Sequence, residues 1–233
     1  MKALILAGGL GTRLRPLVAD HPKSMAQIHG QPFLAYQLDL LCRQGFTEII
    51  LCTGYMSQAI EEHFGDGEDL GVHITYSIEE KPLGTAGAIK NAAPLVDSTF
   101  LVLNGDTYIQ ADLQDLAHFH LDRGALASIG LSQVGDPCRS GLVEVDPAGR
   151  VVRFIEKGAA QGDCHTVSAG VYVFEQKILD FIPFGRKVSL EREVFPHLVE
   201  MKMPLYGYTL SGSFIDIGTP EGYRRMLRKV LFT

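Results

Sequence analysis

Short apolar runs alternate with stretches of helical spacing along the first 125 residues, and this alternation constrains the fold more than any other feature of the chain. Ala3 to Leu6 is apolar and is cut off by Gly8-Gly9, as a buried parallel strand feeding a loop would be. Phe33 to Leu41 carries apolar residues at helical spacing and stops at Gly45, a natural C-cap. Glu48 to Thr53, Val72 to Ser77 and Thr99 to Leu103 read as further strands. Gln58 to Phe64, about Thr85 to Ala93, and Asp112 to Asp122 read as helices. Repeated βα units of this length predict an α/β fold with a mostly parallel sheet and right-handed crossovers.

The second half changes character. Ala127 to Ser132, Leu142 to Val145, Val151 to Glu156 and Val167 to Phe174 are strand-like, with a turn signal at Asp146-Pro147-Ala148-Gly149. They predict an antiparallel insertion forming a rim over the sheet. Helical patterns at Leu190 to Met201 and Glu221 to Leu231 flank a last strand pair around Leu205 to Thr209 and Phe214 to Ile217. No repeat, low-complexity segment or linker interrupts the 233 residues, which predicts one compact domain over 1–233.

With 21 basic and 27 acidic side chains the net charge is −6, so the chain has no basic field for a nucleic-acid backbone, and any phosphate chemistry must be local. Cys42, Cys52, Cys138 and Cys164 form neither a C-x-x-C pair nor a zinc pattern. No apolar stretch reaches the ~18 residues of a membrane span, and the apolar stretch after Lys2 is too short for a signal peptide, so a cytoplasmic setting is expected. Glycine is in excess, 25 residues in all. The question is whether those glycines touch a ligand.

Leu6-Ala7-Gly8-Gly9-Leu10-Gly11-Thr12-Arg13 follows the first strand, and three glycines in four residues let backbone N–H groups approach a phosphate closely. It is not a Walker loop, and Leu14 stands where a dinucleotide fingerprint needs its third Gly. Alone it also fits a tight structural turn. Lys23 follows in Pro22-Lys23-Ser24-Met25 as a second cation beside Arg13. Pro82-Leu83-Gly84-Thr85-Ala86-Gly87 opens a helix whose free N–H groups suit a base or ribose, or a plain cap. Leu103-Asn104-Gly105-Asp106 and Phe214-Ile215-Asp216 each end a strand in a carboxylate suited to a hard cation such as Mg2+. These acids, 110 positions apart, can meet only through the fold. In the rim, Glu156-Lys157 offers acceptors for hydroxyls and a point charge for a phosphate, or a solvated turn. His118 and His120 fall on different helix faces, and the Arg224, Arg225, Arg228 and Lys229 cluster suits a helix C-terminus; both read as structural.

The combination G-G-x-G-T-R-L-x-P-L-x(4)-P-K, with P-L-G-T-A-G, N-G-D and D-I-G-T-P behind it, resembles the sugar-1-phosphate nucleotidyltransferase family over nearly the whole chain. The resemblance implies a Rossmann-like, GT-A-like fold with a nucleotide-binding part at about 1–125, an antiparallel sugar-binding part at about 126–218 and a C-terminal helix at about 219–233. It implies that an NTP and a sugar 1-phosphate condense to an NDP-sugar and pyrophosphate. Arg13, Lys23 and Asp106 would be catalytic, and Asp106 and Asp216 would hold Mg2+. Leu6, Ala7, Gly8, Gly9, Gly11, Thr12, Arg13, Lys23, Asn104 and Gly105 would bind the nucleotide, with Glu80, Pro82, Gly84 and Thr85 beside its base and ribose. Gly141, Glu156, Lys157, Ala169, Gly170 and Glu193 would bind the sugar phosphate. Ser24 and Gly158 replace family prolines, Ser168 replaces an Asn, and Ser140 stands where an aromatic is frequent.

Pro22 to Ala26, Gln31 to Leu34 and Pro82 to Lys90 are most similar to the branch making GDP-D-glycero-α-D-manno-heptose, which favours GTP. Mannose-1-phosphate guanylyltransferases and N-acetylmuramic acid 1-phosphate uridylyltransferases are alternatives within the family. A silent nucleotide-binding regulator and a dinucleotide-dependent oxidoreductase are alternatives outside it. No nucleic-acid or membrane partner is implied, and homo-oligomerisation stays open.

Overall fold

Residues 1–9, 22–133, 142–155 and 166–229 are described by a computed structural model. Lys2–Leu6 forms β1, whose fully buried Ala3, Leu4 and Ile5 mark a central strand. A 3-10 turn at Lys23–Met25 and a small ribbon of β2 (Gln27–Ile28) and β3 (Gln31–Pro32) lead into α1 (Phe33–Arg43). Then come β4 (Glu48–Thr53), α2 (Ser57–Phe64), β5 (His73–Ile78) and α3 (Gly84–Asn91). β6 (Phe100–Asn104), β7 (Thr107–Gln110), α4 (Leu113–Asp122) and β8 (Ala127–Gln133) follow. β9 (Leu142–Val145), β10 (Val151–Ile155) and β11 (Thr166–Phe174) precede α5 (Phe195–Glu200), β12 (Leu205–Thr209), β13 (Ser213–Asp216) and α6 (Pro220–Arg228).

Seven strands form the central sheet in the order β12-β8-β11-β6-β1-β4-β5. β6, β1, β4 and β5 pair in parallel, as do β8 and β12, while β11 is antiparallel to both of its neighbours. The mostly parallel α/β sheet is therefore present, but the antiparallel rim is smaller than the sequence pattern predicts. β8 and β11 join the main sheet and are covered on both faces, β8 being buried at every position but its last even though Ser128, Gly130 and Ser132 make up one of its faces. Of the four strands expected in the rim, β9 and β10, which keep Val152 and Arg153 exposed, form a separate antiparallel ribbon. The last two strands do not pair with each other: β12 extends the sheet edge beside β8, and β13 pairs with β7. The helix expected from Leu190 opens instead as a π-helical turn, Leu190–Val194, before α5, and Pro196, which lacks an N–H, sits at the junction.

Alternation along β1 sends Leu4 to one face of the sheet, against Ala86 and Ile89 of α3, and Ala3 and Ile5 to the other, against Leu34, Leu38 and Leu41 of α1. A third cluster packs Met226 of α6 on Ile215, Ile217 and Phe33, which anchors the end of β13 to α1. No described helix is long and apolar enough to cross a membrane.

Candidate active site

The parallel strands β6, β1, β4 and β5 end along one edge, and a cavity of about 410 Å³ opens there, where open α/β sheets bind ligands. Leu6, Ala7, Gly8 and Gly9 form one wall directly past β1. Lys23 and Ser24 flank it, and Asn104, Gly105 and Asp106 continue it past β6. Pro82, Gly84, Thr85 and Ala88, Glu79 just past the end of β5, and Lys187 complete the lining.

Asp106 and Asp216 meet as the sequence requires of them. β7 and β13 pair in antiparallel register, Thr107 opposite Asp216, and Ile217 N donates to the Asp106 carbonyl at 2.8 Å. Gly218 lies at the convergence: a Cβ built on it would stand 2.6 Å from Asp216 Oδ1 and 3.0 Å from Asp106 Oδ2, and would also collide with Lys23 Nζ. Lys23 and Asp106 form a mostly buried ion pair, and Gly218 N donates to Asp216 Oδ1 at 2.6 Å. Two hard carboxylates around a point already occupied by a cationic group fit a divalent cation with oxygen preference, its other positions left to water and phosphate. Among the described residues no group of three or more His, Cys, Asp or Glu forms a metal centre.

The turn carrying Asp106 is held from below. Gln37 of α1 is fully buried, and its Nε2 donates to the carbonyls of Asn104 at 2.9 Å and Thr107 at 2.8 Å. Gly105 packs against β1 so closely that a Cβ would meet Leu6 O at 2.5 Å. Ser24 Oγ and Asn104 Oδ1, both buried and both in lining residues, have no hydrogen-bond partner among the described residues, the condition in which buried polar groups await a ligand or water.

The opposite wall departs from expectation by one residue. Glu79 lines the cavity, while Glu80 is exposed and does not. Glu79 N donates to Thr53 O at 2.8 Å, which carries the β5 alternation one residue further and turns the side chain inward over Gly8 and Gly54. Its Oε2 accepts from Leu83 N at 3.1 Å. Burial raises the Glu79 carboxyl above its usual range, opposed by that hydrogen bond. Burial and the Glu79 charge push the neighbouring Cys52 thiol up to about 12, so it is an inert core group. At the start of α3, Val188 O takes the N–H groups of Ala86 and Gly87, and Thr85 Oγ1 accepts from Leu190 N at 2.8 Å. The expected cluster of free donors is thus reduced to the first residues, Gly84 and Thr85. The Thr85 hydroxyl keeps a proton to donate.

The acceptor side is only partly described. Gly11, Thr12, Arg13, Gly141, Glu156 and Lys157 lie outside the described residues. Ala169 is buried in β11 and Gly170 (φ +71) forms a bulge against Asn104, its hypothetical Cβ 2.7 Å from Asn104 Nδ2; neither lines the cavity. Glu193 serves as a cap, its Oε1 accepting from Ser189 N at 2.8 Å while Ser189 Oγ accepts from Arg192 N. The sequence reading missed a polar chain beside it, in which Ser168 Oγ donates to Tyr172 and the Tyr172 hydroxyl donates to Glu191 at 3.1 Å. Burial, then the Glu191 charge, pushes the Tyr172 phenol up, with a smaller contribution from Asp106. Away from the site, His120 is buried against Ser128 and Glu175 and His118 is exposed, as read.

The family model described as Nucleotidyl transferase matches residues 2–231. A mannose-1-phosphate guanylyltransferase of Mycobacterium tuberculosis is 44% identical over 96% of this chain and 62% of its own length. A UTP–glucose-1-phosphate uridylyltransferase of Synechocystis is 36% identical over 99% of this chain and 63% of its own. The chain therefore spans about 62% of the length of the curated relatives it matches. HddC from Yersinia pseudotuberculosis, crystallised with GMP-PN, superimposes with a TM-score of 0.84 at 34% identity over 97% of both chains.

Proposed function

Given that the chain belongs to the nucleotidyl transferase family, we propose that it joins GTP to a sugar 1-phosphate, D-glycero-α-D-manno-heptose 1-phosphate, giving GDP-heptose and pyrophosphate. The observation that carries this reading is the convergence of Lys23, Asp106 and Asp216 around Gly218, with Lys23 and Asp106 lining a sheet-edge cavity. The attacking group is the phosphate of the sugar 1-phosphate. Its second pKa is near ~6, so it is anionic at neutral pH and needs no general base. The barrier is the approach of two polyanions, and the residues answer it by position and charge. Lys23, with Arg13 from the glycine-rich loop, neutralises the phosphates; the N–H groups of Gly8, Gly9, Gly11 and Thr12 bind their oxygens. Lys187 adds a cation to the cavity lining. Glu156, Lys157 and Gly141 hold the sugar phosphate. Asp106 and Asp216 fit Mg2+, which when bound supplies charge neutralisation at the reacting phosphate.

Guanine is supported by the GMP-PN complex of HddC and by the identity to a guanylyltransferase. Heptose is supported by the sequence resemblance and by the likeness to HddC over 97% of both chains. A second reading, mannose 1-phosphate as acceptor, is favoured by the 44% identity to the mycobacterial enzyme. Pyrophosphate release measured for GTP, UTP, dTTP, CTP and ATP against heptose, mannose, glucose and N-acetylmuramic acid 1-phosphates separates the readings. GTP with the heptose phosphate is expected to give the highest kcat/KM, and Asp106→Asn to lower it by at least about a thousandfold. Release with no pair, or full activity in Asp106→Asn, overturns the proposal.

A further inference from the structure

Gly87 lies inside α3, although glycine is among the poorest helix formers, so something other than helix stability accounts for its place there. A close approach accounts for it. A Cβ on Gly87 would stand 2.6 Å from the carbonyl oxygen of Arg186 and 2.9 Å from Leu83 Cβ, and a Cβ on Gly84 would stand 2.6 Å from the carbonyl oxygen of Val188. The segment from Arg186 to Leu190 is bonded along the first turn of α3. Val188 O accepts from Ala86 N at 3.0 Å, Val188 N donates to Leu83 O at 2.8 Å, and Leu190 N donates to Thr85 Oγ1 at 2.8 Å. Donors that a helix N-terminus ordinarily leaves free are thus taken by this segment.

One side chain of the docked segment reaches the site. Lys187, whose two chain neighbours carry the carbonyls that touch the glycines, lines the cavity together with Lys23, Gly84 and Thr85. A lysine is a point charge on a flexible stem, so what it contributes at a phosphate depends on where its backbone is held. The contacts of Arg186 O and Val188 O with α3 hold that backbone on both sides. A methyl on Gly87 would have to drive Arg186 O back by roughly 0.8 Å to reach ordinary van der Waals contact. We infer that Gly87 is a positioning residue, whose missing side chain lets the backbone around Lys187 seat against α3 and so places the Lys187 ammonium toward the substrate phosphates; this rests on the proposed nucleotidyl transfer.

The test is a cycle of four proteins: wild type, Gly87→Ala, Lys187→Met and the double variant. Each is read as kcat/KM for the nucleotide in pyrophosphate release, with the nucleotide and sugar 1-phosphate that serve the wild type best. Lys187→Met keeps the apolar stem and removes the charge, and a loss of at least about tenfold is expected. A shift approaching 1 Å costs up to about a hundredfold, so Gly87→Ala is expected to lose about tenfold or more even though alanine suits the helix better. The double variant is expected to lie within about threefold of Lys187→Met alone, because a charge that has been removed cannot be misplaced. A methyl that merely damaged α3 would instead multiply its loss onto that of Lys187→Met, and losses that multiply overturn the inference. So does Gly87→Ala with wild-type kcat/KM. Full activity in Lys187→Met overturns it as well, while the nucleotidyl transfer reading stands. Thermal midpoints of all four confirm that folded proteins are compared. If Gly87→Ala does not fold, Val188→Pro, which deletes the N–H given to Leu83 O and leaves Gly87 as it is, takes its place in the cycle with the same outcomes. A wild type that releases no pyrophosphate with any pair overturns the reaction itself.

Discussion

Replacing Gln37 with Leu, a side chain of similar size, tests whether the Asp106 turn is held from beneath. Gln37 Nε2 donates to the carbonyls of Asn104 and Thr107, two groups that bracket Asp106. Because Ile217 N already bonds Asp106 O, the Thr107–Asp216 pair is a non-hydrogen-bonded pair, and its Thr107 carbonyl points away from β13. Gln37 supplies that carbonyl's donor. Each buried acceptor left without a partner costs about 1–3 kcal/mol. Leu also removes Gln37 Oε1, which is itself buried without a partner, so part of the loss is offset and about 1–4 kcal/mol remains. For a chain of this size that lowers the melting midpoint by roughly 2–15 °C. Once untethered, a turn that shifts by about 1 Å costs about a hundredfold in turnover. Thermal unfolding followed by circular dichroism reads the first effect, and pyrophosphate release at saturating nucleotide reads the second, with kcat expected to fall more than KM rises. A midpoint within about 1 °C of wild type refutes the buried tether. A lowered midpoint with unchanged kcat refutes its role in placing Asp106.

Gly218→Ala puts a methyl where Lys23, Asp106 and Asp216 converge; turnover is expected to drop roughly a hundredfold with about 1–3 kcal/mol of overpacking cost at most, and near-normal steady-state activity would refute the convergence. Glu79 sets the pH response. Its folded carboxyl titrates above the usual carboxylate range, so the folded protein holds a proton that the unfolded chain has released, and its burial cost appears as pH rises through the raised pKa. Thermal unfolding across pH 4.5–8 checks it: the wild type is expected to lose stability relative to Glu79→Gln as pH rises through the raised pKa, and an equal pH dependence in the two refutes the burial cost.

The alternation of apolar runs and helical spacing was enough to foresee the parallel strands β1, β4, β5 and β6, because a buried parallel strand and an amphipathic helix each leave a local signature, but not the short antiparallel β2, β3 and β7. Strand order left none. Nothing in Val167 to Phe174 distinguishes a rim strand from β11 in the middle of the sheet, because a run buried on both faces looks the same in either place. Asp106 and Asp216 were legible because each ends an apolar strand, and the β7–β13 pairing that joins them is long-range. Glu79 obeys the same strand-end rule, but with two glutamates in a row the choice depended on where β5 stops, and element boundaries are poorly fixed by pattern. Gln37 was visible in principle: it falls on the stripe of Phe33, Leu34, Leu38 and Leu41, where a polar side chain must have partners. Lys187 left no signal, since it belongs to a loop that docks on α3 through Val188.

The described lining of the cavity mixes charges, with Lys23 and Lys187 beside Asp106 and Glu79. An acidic protein of net charge −6 thus needs no basic surface to bind a polyanion in the proposed reaction. A few fixed cations, backbone N–H groups and a carboxylate pair suited to a divalent cation do locally what net charge does not, because electrostatic stabilisation depends on where charges are held and not on their sum.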